Sequence, residues 1–164
     1  MSSENVRGSH DSVSVRRGER ADREFVRNLA RRSAASSVSP VRNARHGDVL
    51  DAFDKLVEFV YGRHHDVLIA EQGGERIGFL LLLYDVPDEV TLTEQAFVAY
   101  TAVEPFARGR GAGRALLDAA EAFARANGLR YVSLMVTDDN APARGLYDKA
   151  GFVTERRMLT KRLD

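Results

Sequence analysis

Apolar residues recur along this chain with two distinct periods. Four stretches carry the three-to-four-residue spacing of an amphipathic helix. In Arg23–Ser33, Phe25, Val26 and Leu29 share one face, and Asp22 stands where an N-cap is expected. A second helix is expected from Asp48, with Leu50, Phe53, Leu56, Val57 and Val60 as its buried stripe. A third follows Gly111, with Leu116, Leu117, Ala120, Phe123 and Ala124 facing inward, and stops at Asn127-Gly128. The fourth is entered through Asp139 or Asn140 and closed by Gly151.

Between the helices lie short apolar runs that predict strands. "VSVRR" (Val13–Arg17) alternates. "DVLIAEQGGERIGFLLLLYD" is a hairpin, because Gly73-Gly74 supplies a turn that needs positive φ. "EQAFVAYTAV" (Glu94–Val103), "RYVSLMV" (Arg130–Val136) and "RRMLTKRL" (Arg156–Leu163) complete the set. "VRNA" (Val41–Ala44), within a loop of small polar residues, is an alternative first strand, so either residues 12–33 or 39–46 supply it. The order is strand, two helices, three strands, helix, strand, helix, strand. This is a mixed α/β (α+β) sheet covered by helices. Residues 1–11 are expected to be a flexible tail and residues 12–164 a single domain.

Composition narrows the classes. A chain of 164 residues, 44% apolar and 29% charged, has the make-up of one ordinary globular domain. It has no cysteine, so a disulfide framework, a thiolate metal site and a cysteine nucleophile are excluded. The N-terminus lacks the apolar core of a signal peptide, and the longest apolar run, Ile77–Tyr84, is too short to span a bilayer. A cytoplasmic protein with no membrane partner is expected. Net charge is zero but uneven: residues 1–46 hold ten arginines against five acids. No basic residue falls between Arg76 and Arg108, whereas Asp85, Asp88, Glu89, Glu94 and Glu104 do. His64 and His65 sit at a helix end and read as surface.

"RGRGAGR" (Arg108–Arg114) packs three glycines and three arginines at the start of a helix. Helix-start N–H groups have no intrahelical partner, and the macrodipole makes that end positive. Gly109, Gly111 and Gly113 carry no Cβ, so an anion can approach the backbone, and Arg108, Arg110 and Arg114 add charge. A phosphate or pyrophosphate site is expected. It is not a Walker A loop, because Arg114 and Ala115 follow Gly113 where Lys and Ser or Thr are required. Neither frame of a G-x-G-x-x-G fingerprint fits, since Arg114 or Leu116 falls on the last glycine.

A second motif, "NAPARGLYDKAGF" (Asn140–Phe152), lies about 30 residues on, beyond a strand. Together, Arg108-x-x-Gly111-x-Gly113 and Asn140-x-x-Ala143-x-x-x-Tyr147-x-x-x-Gly151-Phe152 resemble the GNAT superfamily of acyl-CoA-dependent N-acyltransferases. The first matches that family's R/Q-x-x-G-x-G/A coenzyme A motif, and the second its C-terminal helix. The element order fits from about residue 12 to residue 164.

The resemblance implies a mostly antiparallel sheet whose strands splay at the centre, with acetyl-CoA as co-substrate and no metal. It implies that loop N–H groups from Arg110 through Arg114 (Arg110, Gly111, Ala112, Gly113 and Arg114) hold the pyrophosphate, with Arg108 and Gly109 also in the coenzyme site. Ala102 and Val103 would pair with the pantetheine, an N–H near Val103 would polarise the thioester carbonyl, and Asn140 would contact the pantetheine arm. Tyr147 would be the general acid that protonates the departing thiolate. The strand position where many members carry a glutamate base is Phe97 here, a departure. Glu94, Glu104 or a water chain held by Tyr100 and a nearby carboxylate are the remaining candidates for the base.

The expected activity is acetyl transfer to a primary amine of a small molecule, peptide or protein by direct attack on the thioester. The acidic stretch favours a cationic acceptor over nucleic acid. A non-catalytic acyl-CoA-binding regulatory domain is the alternative. A toxin-like acetyltransferase acting on aminoacyl-tRNA is a further one, against which the acidic stretch argues. A homodimer is compatible with this reading.

Overall fold

The structure, a computed structural model, describes residues 12–163, so the expectation for residues 1–11 falls outside the described residues. Its elements are β1 (Ser14–Arg17), α1 (Arg23–Ser33), α2 (His46–Tyr61), β2 (His65–Gln72), β3 (Glu75–Leu83), β4 (Ala96–Val103), α3 (Ala112–Ala126), β5 (Val132–Leu134) and α4 (Ala141–Lys149). The strands form one sheet in the order β1-β2-β3-β4-β5. The first three pairings are antiparallel and β4–β5 is parallel.

The continuous apolar run in β3 is explained by burial on both faces of the sheet. Leu80 and Leu82 join Leu68 and Ala70 of β2 under α3, against Leu116, Leu117 and Ala120. Phe79, Leu81 and Leu83 join Val67 and Ile69 on the other face, under Val26 and Leu29 of α1 and Val57 and Val60 of α2. β2 and β3 thus each feed two cores through their period of two.

Three expectations are corrected. Val41–Ala44 is not the first strand: Pro40–Arg42 form a 3-10 turn, and Asn43 at φ +43° takes a left-handed conformation that a strand cannot continue. Helix α2 starts at His46, with Asp48 in its first turn rather than at its cap. Arg156–Leu163 is not a strand, because residues 152–163 carry no regular structure and the sheet ends at β5. Met158 and Leu159 are adjacent, which breaks the alternation, and basic pairs flank them.

Asp22 takes a different role from the expected cap. Its side chain makes no cap bond to α1 and is almost fully buried. One oxygen accepts from Arg16 at 2.7 Å and from the Glu19 N–H at 2.8 Å; the other accepts from Arg16 at 3.0 Å and Arg76 at 3.3 Å. Arg16 also reaches Glu71 at 2.9 Å. The start of α1 is therefore tied to β1, β2 and β3 through one carboxylate.

Chiefly because of the Arg16 hydrogen bonds, the Asp22 carboxyl is held at about 2. An unfolded aspartate titrates near 3.9, so the pair contributes about 2 kcal/mol at neutral pH. That stability is present above pH about 4 and is lost as pH falls through about 2. Asp22→Asn should lower the urea-unfolding free energy at pH 7 by roughly 2 kcal/mol, because two partly exposed guanidinium groups lose the buried carboxylate they converge on. It should also flatten the pH dependence between about 4 and 2. An unaltered unfolding curve would remove Asp22 from this role.

Candidate functional site

The site is built around an irregularity in β4. Its register with β3 runs Leu83↔Phe97, Leu82↔Val98, then Leu81↔Tyr100, so Ala99 is an extra residue, a β-bulge. Val98 faces the core under α3, whereas Phe97, Ala99, Tyr100 and Ala102 all face α1 and α2. Pairing with β5 stops at the same place: it covers Ala96, Val98 and the residue between them. From Ala99 to Val103, β4 has β3 on one side and no strand on the other. This is the splay expected at the centre of the sheet.

Strand alternation decides which groups face the gap. Glu104 donates its N–H to the Ile77 carbonyl of β3 at 2.8 Å. By alternation Ala102 also faces β3, and Thr101 and Val103 turn their N–H and C=O groups to the open side. Arg108 Nε donating to the Val103 carbonyl at 3.4 Å fits that direction. Of the two backbone positions expected from the sequence, Val103 faces the gap and Ala102 does not. Thr101 was missed; counting back by twos from Val103 would have found it.

After β4 a 3-10 turn, Pro105–Ala107, leads into the glycine loop and α3. Gly109 and Gly111 have φ of +75° and +87°, and a Cβ on either would meet no atom within 4 Å. Glycine is needed there for backbone conformation, and the space above it is open. Gly111 is the N-cap of α3 and offers no capping side chain, so the first-turn N–H groups remain available. Gly113 has another reason: a Cβ there would lie 2.8 Å from Leu146 Cδ2. It lets α4 pack on α3, so of the three glycines expected to let an anion approach, Gly113 also has its Cβ side filled by Leu146. Arg114 joins the same contact, donating to Asp118 at 2.8 Å and to the Lys149 carbonyl at 3.0 Å. Arg110 is exposed beside the loop, and Ala112 is buried beneath it.

The other wall comes from α4. Asn140 is its N-cap, accepting from the Ala143 N–H at 3.3 Å. Thr137 Oγ1 donates to the Ser37 carbonyl at 2.8 Å, so the turn after α1 meets the segment after β5. Tyr147 packs half-buried beside Phe152, ring centroids 5.8 Å apart. Its hydroxyl makes no hydrogen bond among the described residues. Burial pushes the Tyr147 phenol above its ordinary range, and nearby Tyr100 adds to this. The group is therefore protonated at neutral pH and free to donate. The Tyr100 hydroxyl is committed instead: it donates to Ser33 Oγ at 3.1 Å and accepts from Ser37 at 3.3 Å. Ser33 in turn donates to the Leu29 carbonyl at 2.7 Å, so this chain of hydroxyls ends on helix backbone.

The two candidate carboxylates are far apart. Glu94 is exposed and precedes the start of β4, at the end of the sheet away from the loop. Glu104 follows Val103, is mostly buried and is ion-paired with Arg32. Phe97 packs against the α1–α2 core. The acidic stretch is largely compensated: Asp85 pairs with Arg63 at 2.7 Å, and Asp88 with Arg156. Glu89 is exposed and lies 3.8 Å from Arg156, which leaves Glu94 as the remaining exposed carboxylate of the stretch. Among the described residues, no group of three or more His, Asp or Glu side chains could hold a metal ion. No helix there is long and apolar enough to cross a membrane.

The model of the acetyltransferase (GNAT) family matches residues 28–152. A Bacillus subtilis (strain 168) protein named "Uncharacterized N-acetyltransferase YhfO" is 33% identical over 129 residues, 75% of this chain and 86% of that protein. The mycothiol acetyltransferase of Beutenbergia cavernae is 45% identical over 67 residues, 41% of this chain but only 21% of that longer protein. A solved ribosomal-protein-alanine N-acetyltransferase from Brucella melitensis shares the fold, with a TM-score of 0.68, 21% identity, and coverage of 93% of this chain and 99% of that one. The chain belongs to the GNAT family of acetyltransferases, and acetyl-CoA is its co-substrate.

The two glycines predict different outcomes. Gly111→Val places a β-branched residue at φ +87°, a strain of about 1–3 kcal/mol that the loop relieves by leaving its conformation. Acetyl-CoA affinity, read by calorimetry, should fall at least roughly tenfold in a chain that is still folded. Gly113→Val should instead cost roughly 1–3 kcal/mol of stability, because Leu146 must move. Unchanged affinity in Gly111→Val would detach the loop from coenzyme binding.

Proposed function

We propose that this GNAT family member transfers the acetyl group of acetyl-CoA to a primary amine on a small molecule or peptide, by direct attack of the amine on the thioester. The observation that carries the reading is the gap between β4 and β5. It opens where the bulge at Ala99 ends their pairing, is lined by the unpaired backbone of Thr101 and Val103, and leads to the open N-terminus of α3.

In this reading the first-turn and loop N–H groups from Gly109 to Arg114 take the pyrophosphate, with Arg108 and Arg110 as counter-charge. Val103 pairs with the pantetheine and Asn140 borders it. The Thr101 N–H points to the thioester carbonyl and stabilises the negative charge that develops on its oxygen as the amine attacks. A C–N bond forms and the C–S bond breaks. The thiolate takes the Tyr147 proton, and the acylated nitrogen loses its own to solvent. Phe97 supplies no base. Of the two carboxylates, only Glu104 adjoins the pantetheine end of β4, and Arg32 holds it.

The names of the similar proteins support nitrogen acceptors: one is called an N-acetyltransferase and another acts, by its name, on a ribosomal protein's alanine. Compensation of Asp85 and Asp88, with Arg156 also 3.8 Å from Glu89, leaves the exposed Glu94 to attract a cationic amine. Residues 12–164 act as one domain in this reading, working in the cytoplasm.

Tyr147→Phe tests the proposal, since phenylalanine keeps the ring contact with Phe152 and removes only the hydroxyl. General acids contribute about 10²–10⁴-fold, so turnover in a thiol-release assay should fall at least roughly tenfold. Acetyl-CoA affinity should stay near wild type. Wild-type turnover, with chemistry shown to be rate-limiting, would make Tyr147 structural. Absence of thiol release with every amine tried would favour the non-catalytic alternative.

A further inference from the structure

A cleft of about 430 Å³ lies at the end of the sheet away from the glycine loop. Small-molecule pockets run from about 300 Å³ upward, so it is large enough for a ligand. Its walls come from the turn between β1 and α1, the last turn of α2 and the first residues of β2. Gly18 sets that turn against the sheet. Its N–H donates to the Val67 carbonyl at 2.6 Å, and a Cβ there would lie 2.8 Å from Val67 Cγ1.

Charge on these walls does not balance. Three guanidiniums, Arg17, Arg20 and Arg23, meet two carboxylates, Glu19 and Asp66. Asp66 is buried and already satisfied: Arg17 pairs with it at 2.7 Å, and the Tyr84 hydroxyl donates to it at 2.7 Å. Among the described residues Arg20 and Arg23 have no ion pair, and of the wall's carboxylates only Glu19 remains opposite them. Carboxylates just beyond the wall are also taken, Asp22 by Arg16 and Arg76, and Glu58 by Arg27.

Arg23 is held by an aromatic ring instead of an acid. Its guanidinium lies over Tyr61, 4.1 Å from the ring centroid, and His65 packs edge-on to the same ring at 5.3 Å. A guanidinium stacked on a ring is fixed in place and keeps the N–H fork along its edge for an oxyanion. Arg20 lies three residues earlier, in a 3-10 turn that runs into α1, so both side chains leave the same face.

We propose that this cleft is a second ligand site, which takes a small molecule through a carboxylate or phosphate group held between Arg20 and Arg23. Two forks on one face suit the paired oxygens that both groups present, and the unmet positive charge favours an anion. The site stands at the opposite end of the sheet from the glycine loop, so it can be filled while coenzyme is bound. It does not depend on the acyl-transfer reading.

Backbone amide NMR titrations of the full chain with saturating coenzyme A test this. The probes are inorganic phosphate and succinate, each against sodium chloride at equal ionic strength. Saturable shifts are expected at Gly18–Arg23 and His65–Val67 with at least one probe. A response to phosphate alone, succinate alone or both supports the site and tells which oxyanion it takes. Arg20→Gln/Arg23→Gln should weaken that probe at least roughly tenfold, with coenzyme A affinity as in the parent. If the double variant no longer binds coenzyme A, Arg20→Gln alone, at an exposed residue without an ion pair, should still weaken the probe. Absence of a saturable shift in these segments with both probes would overturn the proposal. So would shifts confined to Arg108–Arg114, or a response at the cleft that the variants leave unchanged.

Discussion

One unopposed residue, Ala99, sets the geometry on which the site depends. Without it β4 would keep its alternation from Ala96 to Val103, and Tyr100 would turn away from α1 and α2. With it, Ala99 and Tyr100 face the same side, and pairing with β5 ends at Val98. A bulge adds local twist and bends its strand, so the two neighbours diverge instead of zipping to their ends. The gap exposes strand backbone that would otherwise be satisfied by a neighbour. Such backbone needs a partner, and an extended amide-bearing arm such as pantetheine is a fitting one.

The rest of the molecule holds that gap open. Below it, α3 is pinned to the sheet by Leu116, Leu117 and Ala120, with its N-terminus aimed past the end of β4. Beside it, Gly113 admits Leu146, and Arg114 reaches the Lys149 carbonyl, so α4 is fixed to α3 from both ends of that contact. Above it, α1 and the turn after it touch both walls: Ser33 and Ser37 bond Tyr100 on β4, and the Ser37 carbonyl accepts from Thr137 beyond β5. The Asp22 network sets where α1 begins. A cleft of about 430 Å³ lined by Arg17, Arg23, Tyr61 and Asp66 lies at the other end of the sheet from the glycine loop and takes no part in this arrangement.

Much of this was legible in the sequence, for reasons that can be named. Glycine at positive φ gave away the hairpin and the N-terminus of α3, because few residues tolerate that conformation. Period-two and period-3.6 patterns located the strands and helices, because both sheet faces are covered. What the sequence hid was partnership. Asp22 looks like a cap, and only the fold shows that Arg16 and Arg76 converge on it. Gly113 looks like part of a phosphate loop, but the side chain that fills its space is Leu146, 33 positions further on. The bulge cannot be read from "FVAYTAV", since Ala99 is unremarkable until its partners in β3 are known. Arg156–Leu163 has strand composition, but the adjacent Met158 and Leu159 break the alternation and residues 152–163 carry no regular structure.

The central claim is that the open side of β4 and the first turn of α3 form one continuous surface for acetyl-CoA. Amide hydrogen exchange with and without saturating coenzyme A measures it most directly, since the claim concerns particular backbone N–H groups. The account predicts slowed exchange at Thr101 and Val103 and through Gly109–Arg114, with the β1–β2 end of the sheet unaffected. Protection confined to another face, with Thr101 and Val103 exchanging as before, would contradict it.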